Sequence, residues 1–479
     1  MALHLDNSTL TEHAQHVLVP TYERRALTPA VVHMSVGSFH RSHQAVYFDE
    51  IAQQGISQEW GVVGVGLHRR EMLEVLTAQD GLYTVVTRGA SGTSARIVGV
   101  IGRYLFAPER TEAVLDAMAA PQTRLITLTI TNGAYAVDAN AGNPPRTAMA
   151  YLVEALDRRR RAGRAGVTIL SCDNLTGNGA ITRTAVLGSA NARDVRLASW
   201  IEEHVTFPSS MVDRITPRTT LEDCERVERE FGVADRWPVV SEPFSQWIIE
   251  DDFAAGRPPL DLVGAQFVSD VAPYAHAKTR LLNGAHCAIG PVAYLAGLRR
   301  IDQALADPLF ERFLAELMER EVAPLLPEVP GLDLTRYRRS LLERFANPAI
   351  GDQLARLCRN GSAKMPCHVL PSIAESRAAG RPHPRLTMAV AGWMRYLRGV
   401  DLSGRPILVD DPMADRLRGL ARTGGTDPRP LLSERGVFGA LGEDAAFAME
   451  LEQLLQTIET GGVRAAVEAS GAAEHELAA

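Results

Sequence analysis

Lysine is nearly absent from this chain. Only Lys278 and Lys364 occur among the 50 basic residues, the other 48 being arginine. Arginine stays charged and accepts no proton, whereas a desolvated lysine can release its proton near neutral pH. Two lysines kept against such a bias invite a chemical role; chance survival at the surface is the alternative. Cysteine is also scarce. Cys172, Cys224, Cys287, Cys358 and Cys367 are odd in number, dispersed and without a CxxC pair, so neither a disulfide framework nor a thiolate zinc site is indicated, and they read as buried small residues. An excess of positive charge is missing too. With 50 basic and 57 acidic residues the net charge is -7, which offers no general attraction to nucleic acid or anionic membranes. No cationic segment leads into an apolar stretch at the N-terminus, and the apolar-rich runs at 288–298 and 386–394 are too short to span a membrane. A cytoplasmic, soluble protein without membrane or nucleic-acid partners is expected. The HxxH spacings at His13/His16 and His40/His43 lack a carboxylate or cysteine at ligand spacing, so no metal is expected.

What remains is ample material for packing. At 479 residues with 46% hydrophobic and 22% charged residues, the chain exceeds what one core usually supports, and two domains are expected. Segments of β character at 31–36, 61–67, 83–88, 125–131 and 167–172 alternate with helix-length stretches such as 39–54 and 147–161. Apolar strands without polar alternation suggest a sheet covered on both faces. An α/β, Rossmann-like dinucleotide-binding domain over 1–270 is therefore expected. Beyond it the periodicity becomes helical, at 274–298, 308–325, 333–345, 384–398 and 445–460, which makes 271–479 a mostly α-helical substrate and catalytic domain. The arginine run 158–161 reads as a solvated helix end that favours the dipole.

Three constellations can carry chemistry. The first strand runs into SVGSFHR at 35–41 and then a helix, the arrangement that presents backbone N–H groups to a pyrophosphate. Ser35, Val36, Gly37, Phe39 and Arg41 are its candidate residues, although a lone Gly37 also suits a purely structural turn. CDNLTGNG at 172–179 puts Asn174 at the carboxyl edge of the sheet, as an oxyanion donor or as an Asx turn capping the next helix. In AKTRLLNGAHCAIG at 277–290, a regular helix places Asn283 and His286 about 140° and 80° round from Lys278, with side chains leaning back toward the lysine. A base, an amide and an imidazole then share one broad face, where a lone histidine would more simply be a satisfied core residue. Arg356, Arg359 and Lys364 cluster in 352–366, as a charged substrate rim or as ordinary surface pairs.

VTFPSSMVDRITP at 205–217 resembles the signature of the mannitol 2-dehydrogenase group of polyol-specific long-chain dehydrogenases. The resemblance extends through SVGSFHRSHQ, TAQDGLY, TITNGAY, CDNLTGNG, SEPFSQWIIED, KTRLLNGAH and GVFGALG, and so covers both expected domains. It implies metal-independent interconversion of a polyol and a ketose, most simply D-mannitol and D-fructose, with NAD as cofactor. Lys278 matches the family's acid/base, Asn174 and Asn283 its oxyanion-stabilising asparagines, and His286 its substrate-binding histidine. Asp213, Arg356 and Lys364 match positions near the substrate, and the family leans toward monomers. Two departures stand out. Ser35 replaces the family's first turn glycine, which should crowd the pyrophosphate turn. His68, Arg69 and Arg70 follow the second strand where an acid usually holds the ribose, with Glu71 the first acid; basic residues there suit a 2′-phosphate and make NADP the alternative. Within the fold, a fructuronate or tagaturonate reductase and an arabinitol dehydrogenase are the rival readings. From another class, the rival is a catalytically silent nucleotide sensor.

Overall fold

The computed structural model describes residues 2–138 and 144–477. It divides into two compact units, Met1–Ala272 and Pro273–Ala479.

The first unit is built on five parallel strands: β1 Val31–Met34, β2 Val62–Gly66, β3 Ile101–Phe106, β4 Leu125–Leu128 and β5 Thr168–Ser171. Their order is β3-β2-β1-β4-β5, every neighbouring pair parallel. Every residue of β1, β2, β4 and β5 is buried, which explains why these strands read as continuous apolar runs. The order reverses between β1 and β4, and a doubly wound sheet binds ligands beyond the carboxyl ends of its strands at such a point. One strand differs from expectation. Tyr83–Gly89 lies in a separate three-stranded sheet with Gly92–Val98 and Val239–Ser241. Its place in the main sheet is taken by β3, an edge strand whose exposed Gly102 and Arg103 hide it from a hydrophobic pattern.

The helix expected over 39–54 is two, Ser38–Ser42 and Gln44–Gln53, broken at His43 (φ -121°, ψ -88°). Helix Ala148–Arg161 starts at Thr147, whose hydroxyl accepts from the Ala150 N–H at 3.1 Å. Of its arginine run, Arg158, Arg160 and Arg161 pair with carboxylates. Arg159 corrects the solvated reading: it is buried and donates to the carbonyls of Ala165 and Ala120, both at 2.9 Å.

His33, in the middle of β1, is wholly buried between the hydroxyls of Thr127 (2.8 Å) and Thr129 (2.9 Å) and stacks on His40 with ring centroids 3.4 Å apart. Burial pushes its pKa down to about 3. The unfolded chain, titrating near 6.5, therefore takes up a proton that the fold refuses. The neutral ring's contribution is intact above about pH 6.5 and is lost on acidification, at about 1.4 kcal/mol per pH unit between 6.5 and the folded value. Thermal melts should show the first unit losing about 2 kcal/mol between pH 6.5 and pH 5 on this account. His33→Asn should flatten that slope, and an unchanged slope would contradict the assignment.

The second unit is helical, its helices including Gly284–Leu295, Pro308–Glu316, Leu334–Phe345, Pro384–Tyr396, Ala414–Gly424 and Ala445–Leu477, the last interrupted at Gly462 (φ 83°). Helix Pro384–Tyr396 is buried at every residue from Arg385 onward. It packs against Gly284–Leu295 at Gly392, where a Cβ would stand 2.6 Å from Val292 Cγ2. Cys287 and Cys358 are buried here, whereas Cys367 is exposed. No helix among the described residues is long and apolar enough to cross a membrane.

Candidate functional site

The expected helix over 274–298 is not regular. Ala272–Lys278 is α-helical, Thr279–Asn283 forms a π turn, and Gly284–Leu295 resumes the α-helix. A π turn closes i→i+5 bonds and holds one extra residue, so the backbone at Asn283 stands nearly above Lys278, about 40° round from it instead of 140°. The amide thus comes onto the lysine's own face, closer than a regular helix allows. Such insertions concentrate at functional sites.

Lys278 is 7% exposed. Asn283 Nδ2 and His286 Nε2 are buried without a hydrogen-bond partner. Native interiors leave few polar atoms in that state unless a ligand completes them. The His286 ring lies 4.5 Å from that of Phe345. Burial pushes its pKa down to about 3 against a partial pull from Asp352, so the imidazole is neutral.

The second lysine lies on helix Gly361–His368 of the same unit. Lys364 Nζ donates to the Leu357 carbonyl at 3.2 Å and pairs with no carboxylate among the described residues. Burial, assisted by the charges of Arg356 and Arg359, lowers its pKa. The two arginines are neutralised. Arg356 grips Asp352 with both edges of its guanidinium, Nε to Oδ1 at 2.6 Å, and Arg359 Nε meets Asp410 at 2.7 Å. Although burial opposes it, Arg356 holds the Asp352 carboxyl below its usual range. Sequence reading overlooked Asp352, although its i, i+4 spacing from Arg356 was a usable signal.

In the first unit, Asn174 is exposed just beyond the carboxyl end of β5. The next helix, Asn178–Arg193, has Gly177 (φ 65°) as its N-cap. Its neighbour Asp173, also overlooked, organises this edge: it accepts from the N–H groups of Ile130 (2.9 Å) and Thr131 (3.0 Å) and from the Tyr135 hydroxyl (2.6 Å). Those bonds hold Thr131 at φ 69°, strained for a β-branched residue, at the end of β4. The 205–217 motif docks beside them. Ser210 exchanges bonds with Asn178, N to Oδ1 at 3.0 Å and Nδ2 to O at 2.9 Å. A Cβ on Gly179 would stand 2.4 Å from Phe207 O, so glycine permits the approach. This fixes strand Ser210–Asp213, with Asp213 buried at its end.

The turn after β1 fits a dinucleotide in part. Gly37 is the N-cap of helix Ser38–Ser42 without a side-chain cap, and the space where its Cβ would stand is open, with only Ser35 O at 3.9 Å. Val36, Gly37 and Phe39 therefore border a turn with room for a phosphate. Arg41 is different: wholly buried, it donates to the Trp237 carbonyl, and its own carbonyl accepts from the Tyr83 hydroxyl at 2.8 Å. We read Arg41 as tying the helix to the interior. His68 and Arg69 are exposed beyond β2, while Arg70 is engaged by Glu74 and Glu109.

Ser35 departs from expectation in its physics. It does not fill the turn over Gly37; instead its own backbone is left-handed, at φ 72°, a region that costs a non-glycine residue about 1–2 kcal/mol. Ser35→Gly should raise stability by about 1 kcal/mol, or about 2 °C in melting temperature. NADH affinity should hold or improve, and a destabilised variant would contradict the strain.

Two family models match: the mannitol dehydrogenase Rossmann domain over 29–262 and the mannitol dehydrogenase C-terminal domain over 270–459. The chain is 42% identical over 483 residues to a mannitol 2-dehydrogenase of Phaeosphaeria nodorum, covering 96% of this chain and 84% of the relative. It is 43% identical over 472 residues to one from Aspergillus terreus, covering 93% and 94%. Among solved structures, the Pseudomonas fluorescens mannitol 2-dehydrogenase in ternary complex with NAD and D-mannitol is similar at TM-score 0.89 and 37% identity, with 97% and 99% of the two chains covered. A substrate-free D-sorbitol dehydrogenase gives TM-score 0.89 at 33% identity, covering 97% and 100%.

Proposed function

Because the chain belongs to the mannitol dehydrogenase family, we propose that it is an NAD-dependent mannitol 2-dehydrogenase interconverting D-mannitol and D-fructose. The observation that carries this reading is the turn around Lys278, where a buried amine shares a helix face with an amide and a neutral imidazole that lack partners. Neutral donors and acceptors suit a polyhydroxylated substrate. For a keto-acid substrate Arg356 and Arg359 are already taken by carboxylates, which leaves Lys364 as the cation to meet its carboxylate.

Ser35, Val36, Gly37 and Phe39 would hold the pyrophosphate, with His68 and Arg69 beside the ribose. The nicotinamide supplies hydride acceptance in oxidation and hydride donation in reduction. Neutral Lys278 takes the proton of the secondary hydroxyl onto Nζ, and its ammonium form returns that proton in reduction. Asn283 Nδ2 donates to the same oxygen as it gains negative character, and Asn174 is assigned the same role from the family pattern. His286 bonds a substrate hydroxyl through Nε2. Asp213, Arg356 and Lys364 are assigned to substrate binding from the family pattern, Arg356 acting with Asp352 as a neutral pair. On family grounds the working unit is taken as a cytoplasmic monomer.

Following reduced-nicotinamide absorbance with D-fructose, D-mannitol, D-sorbitol, fructuronate and xylulose tests the reading. NADH oxidation by D-fructose, unaffected by a chelator, is expected. Turnover confined to fructuronate, or to NADPH, would overturn the substrate or the cofactor.

A further inference from the structure

His368 ends helix Gly361–His368, one turn after Lys364 and on the same face. Its carbonyl lies against Gly284, where a Cβ would stand 3.0 Å from His368 O. Gly284 directly follows Asn283 and is two residues before His286, so His368 abuts the turn that carries the candidate groups. Its Nδ1 is buried with no hydrogen-bond partner, the same condition as Asn283 Nδ2 and His286 Nε2. Three such atoms on adjoining helices call for a ligand. Burial, followed by the charges of Lys364, Lys278 and Arg280, pushes the imidazole pKa down to about 4, so this ring too is neutral near pH 7. A neutral imidazole both donates and accepts, as a hydroxyl does.

We propose that His368 is a further substrate-contacting residue, its Nδ1 hydrogen-bonding a polyol hydroxyl away from the reacting carbon and so favouring longer chains. This role rests on the polyol dehydrogenase reading above. With Lys278 and Asn283 assigned to the reacting oxygen, His368 and His286 are left to read other hydroxyls.

His368→Phe keeps a ring and removes both nitrogens, while His368→Asn restores a polar nitrogen near Nδ1. Kinetics with D-mannitol and the shorter erythritol, calorimetry of D-mannitol with NAD present, NADH binding and thermal melts are the readouts. His368→Phe should lower kcat/KM for D-mannitol about tenfold, the loss of one hydrogen bond, mainly through KM. Erythritol should lose less, NADH affinity should hold, and His368→Asn should recover most of the loss. Values within twofold of wild type for D-mannitol would overturn the proposal. So would a loss shared with NADH affinity and melting temperature that His368→Asn does not rescue. An active wild type with an indifferent His368→Phe sinks this role alone; a wild type that neither turns over nor binds any polyol sinks the functional reading with it.

Discussion

Lys278→Arg is expected to lower kcat by about 10²–10⁴-fold, the range that a positioned acid/base contributes, while NADH binding stays close to wild type. Arginine keeps the positive charge and much of the length but cannot give up its proton, so the variant separates proton transfer from electrostatics. The side chain is 7% exposed, and a bulkier guanidinium could disturb packing. Lys278→Met, of similar shape and uncharged, controls for that, and both variants should lose turnover while their melts resemble wild type. A Lys278→Arg enzyme retaining most of its rate would remove the lysine from the chemistry.

The second large effect is expected at Asn283. Asn283→Asp keeps the shape and removes the N–H donor, and should cost about 10²–10³-fold in kcat, as the loss of one oxyanion donor does elsewhere. KM should change much less, because the bond strengthens as the oxygen gains charge. Asn283→Ala should behave similarly. If both variants kept kcat near wild type, the unpaired Nδ2 would have to serve ground-state binding instead.

Much of the architecture was legible in the sequence for a definite reason. Strands buried on both faces have no choice but to be apolar, and β1, β2, β4 and β5 announced themselves. An edge strand has no such constraint, and β3 was missed while Tyr83–Gly89 looked equally suited to the sheet. The lysine pair and the motif around it were visible as composition, because chemistry there needs a particular side chain. Partnership was less visible. That Asp173 braces Thr131, and that Arg41 and Arg159 face inward depend on groups brought together by folding.

The sequence by itself determined the fold class, the family and the residue types available for catalysis, since these follow from periodicity and from side chains no neighbour can replace. Only the tertiary structure decided their geometry. The π turn Thr279–Asn283 shifts Asn283 round the helix toward the face of Lys278, Ser35 rather than Gly37 takes the left-handed conformation, and His368 is brought against Gly284. Each depends on contacts between segments distant in the chain or on a backbone hydrogen-bond shift that no residue pattern specifies.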